Sequence, residues 1–419
     1  MIAREVLDHG LRLITESMPQ VRSVTVGVWL TRGSRHEADA RCGIAHFIEH
    51  MLFKGTTSRS AEGLAQEIDS IGGHLDAFTA KEYAAYYIKV LDEHLPIAVD
   101  LLSDLVLNPA FRAEDVEREK KVVLEEIKMV EDTPDDLVHE VFTQRFWDGH
   151  PLGRPILGSK DTVEALTAET LRDHFTGAYV ASNVVLAAAG NLEHARVRAL
   201  VERAFGPLKP AGVALEDWPP VAAPQITVRT KDLEQAHVVL GAPAFAQNHA
   251  DRYVGYILNT VLGGSMSSRL FQNVREKRGL AYAVFSGLNA YRDAGALTVY
   301  AGCAAPSVGQ VVDLVIEELK GLKATLVTAE ELRRAKDHLK GSLMLSLENT
   351  ASRMSHLARQ EIYFERQFDL DETLDGIEQV AAEDIRRVAN DLFVNGSLAA
   401  TVLGPPSVED LSPDRLDLS

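Results

Sequence analysis

Two hydrophobic periods alternate along this chain. Ser23-Val24-Thr25-Val26-Gly27-Val28-Trp29-Leu30 alternates apolar with small or polar residues, as a strand does. Before it, the text up to Val6 predicts a strand, His9-Gly10 a turn, and Leu11 to Thr15 a second strand. His237-Val238-Val239-Leu240 repeats the strand signature much later. Longer runs with apolar residues near every 3.6 positions predict helices over Leu95 to Val106, Glu114 to Val130, Tyr253 to Val261 and Val308 to Leu319. Two glycine-led segments, Gly72 to Thr79 and Gly279 to Ser286, occupy similar places in this order. The order thus occurs twice, on either side of a stretch from Gly206 to Gln225 that holds Pro207, Pro210, Pro219, Pro220 and Pro224. The expected architecture is a duplicated α+β unit: two domains, 1–210 and 225–419, joined by a Pro-rich linker, 211–224.

Polar residues interrupt the apolar pattern at two places. In Gly43-Ile44-Ala45-His46-Phe47-Ile48-Glu49-His50-Met51-Leu52, the helical period brings His46, Glu49 and His50 onto one face. Three polar groups in an apolar setting are costly unless something satisfies them, and zinc prefers neutral imidazole. The order His-x-x-Glu-His reverses the commoner His-Glu-x-x-His zinc motif. Fourteen histidines make a chance pair plausible, so a third ligand is required. The helix Glu114 to Val130 offers one. Val116, Val122, Val123, Ile127 and Val130 define its apolar stripe, with Glu119 and Glu126 near its middle and Glu125 about 100° away. A cation beneath them explains these carboxylates, with Glu126 as ligand and Glu119 as an outer partner; pairing with Lys120 or Lys121 is the plainer alternative.

Composition narrows the class. At 419 residues, with 46% hydrophobic and 25% charged residues, the chain reads as a soluble globular protein. There is no run of 18 apolar residues, so no membrane span is expected. Cys42 and Cys303 cannot build a disulfide framework, and the first ten residues lack the shape of a secretory signal, so a cytoplasmic location is expected. A net charge of −18 argues against nucleic acid and is compatible with steering basic peptides, though it equally serves solubility.

On the His46-Glu49-His50 run and the text from Glu117 to Glu126, the chain resembles the pitrilysin/insulinase family of zinc peptidases. It is most similar to the subfamily of the mitochondrial processing peptidase β subunit and its bacterial relatives. That family also places a ligand glutamate well after its histidines; here His50 to Glu126 is 76 positions. The resemblance implies one zinc per chain held by His46, His50 and Glu126, with Glu49 as catalytic base and Glu119 as the second acidic position. It implies oxyanion donors at Arg275 and Tyr282, seven apart; read without it, Arg275 is a surface cation and Tyr282 sheet core. It implies two homologous domains, each a mostly antiparallel sheet packed by helices, together forming one half of a clamshell, completed as a homodimer in which Arg275 and Tyr282 act in trans. Peptides would bind as an added strand beside Asp76-Ala77-Phe78-Thr79. Asp76 stands where the family usually has asparagine, which keeps an acceptor, removes a donor and adds charge favouring basic peptides. Gly263-Gly264-Ser265-Met266-Ser267-Ser268 lacks the phosphate-loop ending and reads as a turn. His74, His139 and His150 are read as non-ligands. Two rivals stand beside the peptidase: a non-catalytic core subunit of the same superfamily, and a module that holds peptides without cutting them.

Overall fold

A computed structural model describes residues 1–211, 218–407 and 411–419. Of the expected linker 211–224, residues 212–217 lie outside the described residues. The first sheet has six strands: β1 (Ile2–Val6), β2 (Arg12–Ser17), β3 (Ser23–Leu30), β4 (His74–Thr79), β5 (Ala84–Leu91) and β6 (Val184–Gly190). Their order is β1-β2-β6-β3-β5-β4; β2 and β6 are parallel and every other pair is antiparallel. The second sheet holds β7 (Ile226–Thr230), β8 (Ala236–Ala244), β9 (Ala281–Ala290), β10 (Gly295–Cys303) and β11 (Ala399–Gly404). Its order is β7-β11-β8-β10-β9, again with one parallel pair, β7 with β11. The two sheets share one plan, so the expected duplicated α+β unit is present, with β4 and β9 as equivalent edge strands.

The compact units do not follow the two halves of the sequence. One comprises Met1–Met129, Arg154–Asp217 and Leu345–Gln367; the other comprises Val130–Gly153, Trp218–Met344 and Phe368–Ser419. The expected boundaries 1–210 and 225–419 divide the sequence, and as units of packing each half lends a helical segment to the other unit. The physical cause is that β3 and β8 are buried on both faces, so each sheet needs a second helical layer.

In the first unit, Val24, Val26, Val28 and Leu30 of β3 face one core, while Trp29 faces another built with Met354, Leu357 and Ala358 of the helix Thr350–Phe364. Gly27 permits this helix to approach: a Cβ there would lie 2.8 Å from the Met354 sulfur. Glu361 on the same helix is fully buried and takes a bidentate pair from Arg4 on β1 (2.7 and 2.9 Å). In the second unit, the helix Pro134–Phe146 plays the equivalent part, and a Cβ on Gly241 of β8 would lie 2.2 Å from the Phe142 ring. Among the described residues, no helix is long and apolar enough to cross a membrane.

Candidate metal centre

The site is built on α1 (Ile44–Leu52), directly after Gly43. Gly43 has φ +92°, and a Cβ there would sit 2.6 Å from the Leu157 carbonyl, so the helix start requires glycine. Glycine has no capping side chain. Glu37 supplies the cap instead: its two oxygens accept from the Gly43 N–H (2.7 Å) and the Ala45 N–H (2.8 Å). Burial pushes the Glu37 carboxyl up to about 8, against the downward pull of those two N–H groups. Ile44, Phe47, Ile48 and Met51 enter the core and anchor α1, leaving His46, Glu49 and His50 on one flank.

The long helix Ala113–Asp132 brings Glu126 to them. Its Oε2 lies 3.7 Å from His46 Nε2 and 3.5 Å from His50 Nε2. Tetrahedral zinc with ligand bonds of about 2.0–2.1 Å would set its donors roughly 3.4 Å apart, so these separations fit. The three donor atoms all lie within 4.8 Å of one another, the one such group among the described residues. The Glu126 side chain is 39% exposed, yet its Oε2 is buried without a hydrogen-bond partner, as is His46 Nδ1. A buried carboxylate oxygen facing two imidazole nitrogens at these separations is a donor set that suits a cation.

The surroundings prepare these donors. Burial, then the neighbouring His50, lowers His46 to about 4, which keeps it neutral near pH 7 and able to ligate. For His50, burial works downward, but the hydrogen bond to Glu119 and the nearby Glu126 outweigh it and raise its pKa. Glu119 is buried as expected: Oε1 meets His50 Nδ1 at 2.8 Å and Oε2 meets Lys54 Nζ at 2.8 Å. Burial pushes the Glu119 carboxyl up, yet these two partners hold it below its ordinary range. Glu49 accepts from Thr79 Oγ1 at 2.5 Å; burial raises its carboxyl, opposed by that hydrogen bond and by His50. Glu125 faces solvent and pairs with Lys128 at 2.6 Å, on the polar flank expected for it. Val122 departs from the expected stripe: it is 49% exposed, because the buried line runs through Val116, Glu119 and Val123, one residue-step of 100° away.

Comparisons with known proteins bear on this arrangement. The family model described as insulinase (peptidase family M16) matches residues 12–160, and that described as peptidase M16 inactive domain matches 165–339. A Bacillus subtilis protein named uncharacterized zinc protease YmxG is 42% identical over 402 residues, covering 96% of this chain and 98% of its own. The chain belongs to peptidase family M16. A Streptomyces coelicolor relative, also named an uncharacterized zinc protease, is 42% identical across 99% of this M16 chain and 92% of its own. Two solved structures share the fold. A peptidase M16 inactive domain from Pseudomonas fluorescens has a TM-score of 0.91 at 21% identity, covering 98% of this chain and all of its own. A protease from Helicobacter pylori has a TM-score of 0.88 at 23% identity, covering 97% and 99%.

The remaining expected residues of this M16 chain fall in two places. Asp76, Ala77, Phe78 and Thr79 lie on β4, at the end of the first sheet. The Ala80 N–H to Tyr83 carbonyl bond closes the hairpin, so antiparallel alternation turns the main-chain groups of Leu75, Ala77 and Thr79 to the open edge. Asp76 Oδ1 accepts from that outward Ala77 N–H (2.8 Å), and its Oδ2 accepts from Tyr87 OH (2.8 Å). Phe78 points to the opposite face from Thr79 and packs edge-on against Trp29. Arg275 and Tyr282 lie in the second unit. Arg275 lies in the last turn of the π-helical segment Phe271–Glu276, and its guanidinium stands 5.0 Å from the centre of the Tyr282 ring. Tyr282, on edge strand β9, is 79% exposed, not sheet core. Sequence reasoning missed Lys54 and Glu37. The signal for Glu37 was slight: an acidic residue upstream of a helix whose own first position, Gly43, cannot cap.

Proposed function

We propose that this chain is a zinc metalloendopeptidase, with one zinc held by His46, His50 and Glu126. The observation that carries the reading is Glu49. A cation site for structure or binding alone needs no carboxylate on the flank of its own ligand helix, hydrogen-bonded yet outside the ligand triad. Zinc bound there polarises a carbonyl as a Lewis acid and lowers the pKa of water toward about 7. Glu49, its pKa raised by burial, takes a proton from the attacking water and hands it to the leaving amine. Thr79 holds the Glu49 carboxylate in place, and Glu119 holds the His50 ring. Substrate is a peptide or unfolded segment laid along the β4 edge, its main chain meeting the outward groups of Leu75 and Thr79 and the Ala77 carbonyl, while Asp76 holds the Ala77 N–H. The carboxylate of Asp76, already on that edge, favours basic peptides. The catalytic form is a homodimer in which Arg275 and Tyr282 of one copy stabilise the oxyanion at the other copy's zinc.

The test is zinc content together with cleavage of a quenched peptide library by the wild type and by Glu49→Gln. Hydrolysis lost with zinc retained is the expected result. Stoichiometric zinc with no cleavage of any peptide by the wild type would return the reading to a core subunit or a peptide-holding module.

A further inference from the structure

Glu37 takes no part in the chemistry above, yet it is 4% exposed and spends both carboxylate oxygens on the first turn of α1. The same short segment also grips the β4–β5 hairpin. A Cβ on Gly33 would stand 2.3 Å from the Ala80 carbonyl, so the two backbones lie in contact. The Ser34 N–H donates to the Ala80 carbonyl (3.1 Å) and the Arg35 N–H to the Lys81 carbonyl (2.8 Å). Arg35 pairs with Glu82 at the hairpin tip (2.6 Å), with side chains only 2% and 4% exposed. The Glu37 carbonyl accepts from Arg154 Nη1 (2.8 Å).

These contacts form a closed loop. Glu49 bonds Thr79; Thr79 leads into the hairpin; the hairpin is held by residues 33–35; and Glu37 holds the start of the helix that carries Glu49. We infer that Glu37 is a positioning residue, which sets α1 against the β4–β5 hairpin and thereby places the Glu49 carboxylate and the two histidines. This rests on the peptidase reading. A plain helix cap contributes stability and nothing more. A positioning residue also fixes catalytic geometry. The Glu49–Thr79 bond is 2.5 Å, so a slip of α1 by about 1 Å takes it past the ordinary hydrogen-bond range, and misplacement of that size costs on the order of a hundredfold in rate.

The experiment uses the full chain with Co2+ as the metal probe and a quenched peptide as substrate. Glu37→Gln keeps the volume but turns an amide NH2 toward one of the two backbone N–H groups. Glu37→Asp keeps the carboxyl group but is too short to reach both. Both variants are expected to fold by circular dichroism and to take up Co2+ with an altered visible band. Glu37→Gln should lose about tenfold or more in kcat with KM within about threefold, and Glu37→Asp should fall between it and the wild type. Cleavage and a Co2+ spectrum indistinguishable from wild type in Glu37→Gln would overturn the inference alone. So would failure of both variants to fold, which would make Glu37 a residue of stability. A wild type that takes up no Co2+ would overturn the peptidase reading itself, and this inference with it.

Discussion

Glu119→Gln isolates what a buried carboxylate contributes behind a ligating histidine. The wild-type carboxylate is 4% exposed and shared between His50 Nδ1 and Lys54 Nζ, each at 2.8 Å. Glutamine keeps the shape, and its carbonyl oxygen can still accept from His50. It loses the charge, and its NH2 then faces the Lys54 ammonium, donor against donor. A hydrogen bond to a charged group is worth about 1.5–3 kcal/mol, a neutral one about 1 kcal/mol, so the imidazole side loses roughly 0.5–2 kcal/mol. That converts to metal binding weaker by more than about twofold and by up to about thirtyfold, overlapping the lower end of the tenfold to hundredfold range typical of such outer partners. Zinc affinity measured by competition with a chromophoric chelator reads this directly. An affinity within twofold of wild type would refute the role of Glu119 in orienting His50. Loss as complete as in Glu126→Gln would refute its place outside the ligand set.

Further outcomes follow from the same contacts. Glu49→Gln should lower peptide hydrolysis by about a hundredfold to ten-thousandfold while zinc content, read by metal analysis, stays stoichiometric. Mixing Glu49→Gln with Tyr282→Phe protomers should restore part of the activity if donation is in trans; a mixture no more active than its parts counts against it. Gly241→Ala drives a Cβ to 2.2 Å from the buried Phe142 ring and should cost about 1–3 kcal/mol in thermal or denaturant unfolding, whereas Gly27→Ala meets the Met354 sulfur at 2.8 Å and the Tyr87 Cβ at 3.1 Å, a milder clash that should cost less. Asp104 is buried, and burial opposes its charge. The hydrogen bonds from Thr56, Arg59, Asn108 and Ser58 nevertheless hold its carboxyl below the ordinary range. Its stabilisation is therefore present above that range and lost as pH falls through the lowered folded value. Asp104→Asn should unfold about 1–3 kcal/mol more easily at pH 7, a gap that narrows as pH falls below the ordinary aspartate range, and a pH-independent gap would sink this account.

What could be read from the residues was what local period determines. The strand Ser23–Leu30 and the helices near 95–107 and 113–132 follow from apolar spacing alone, and the same spacing brings His46, Glu49 and His50 to one flank. The phase of the long helix separated Glu119 and Glu126 from Glu125, although it misplaced Val122 by one step. The exchange of helices was not legible. An amphipathic segment such as Pro134–Phe146 declares that it needs an apolar face, but both sheets offer one, and nothing local says which. Glycine carries the answer only in pairs. Gly27 and Gly241 sit on equivalent central strands, each cleared for a particular side chain, and neither is readable without its partner from the other half of the sequence. Glu37 was hidden for a similar reason: its two bonds run to main-chain N–H groups, which leave no side-chain pattern.

The duplication also separates scaffold from chemistry. Both sheets end in an edge strand, β4 or β9, and both central strands are followed by a helix. In the first unit that helix carries His46, Glu49 and His50. In the second, Arg252–Leu262, it carries no histidine and no carboxylate. What the second unit has instead is Arg275 stacked on a tyrosine that is 79% exposed at the start of its edge strand. A phenol held that far into solvent buries little area, so packing explains its placement poorly. A cation and a phenolic donor held together by a ring contact are groups suited to a developing negative charge. On the proposed reading, one copy of the plan keeps the base and the metal donors, and the other keeps the donors for the oxyanion. This is why the mixed-protomer experiment, rather than either single variant, decides how the two units divide the reaction.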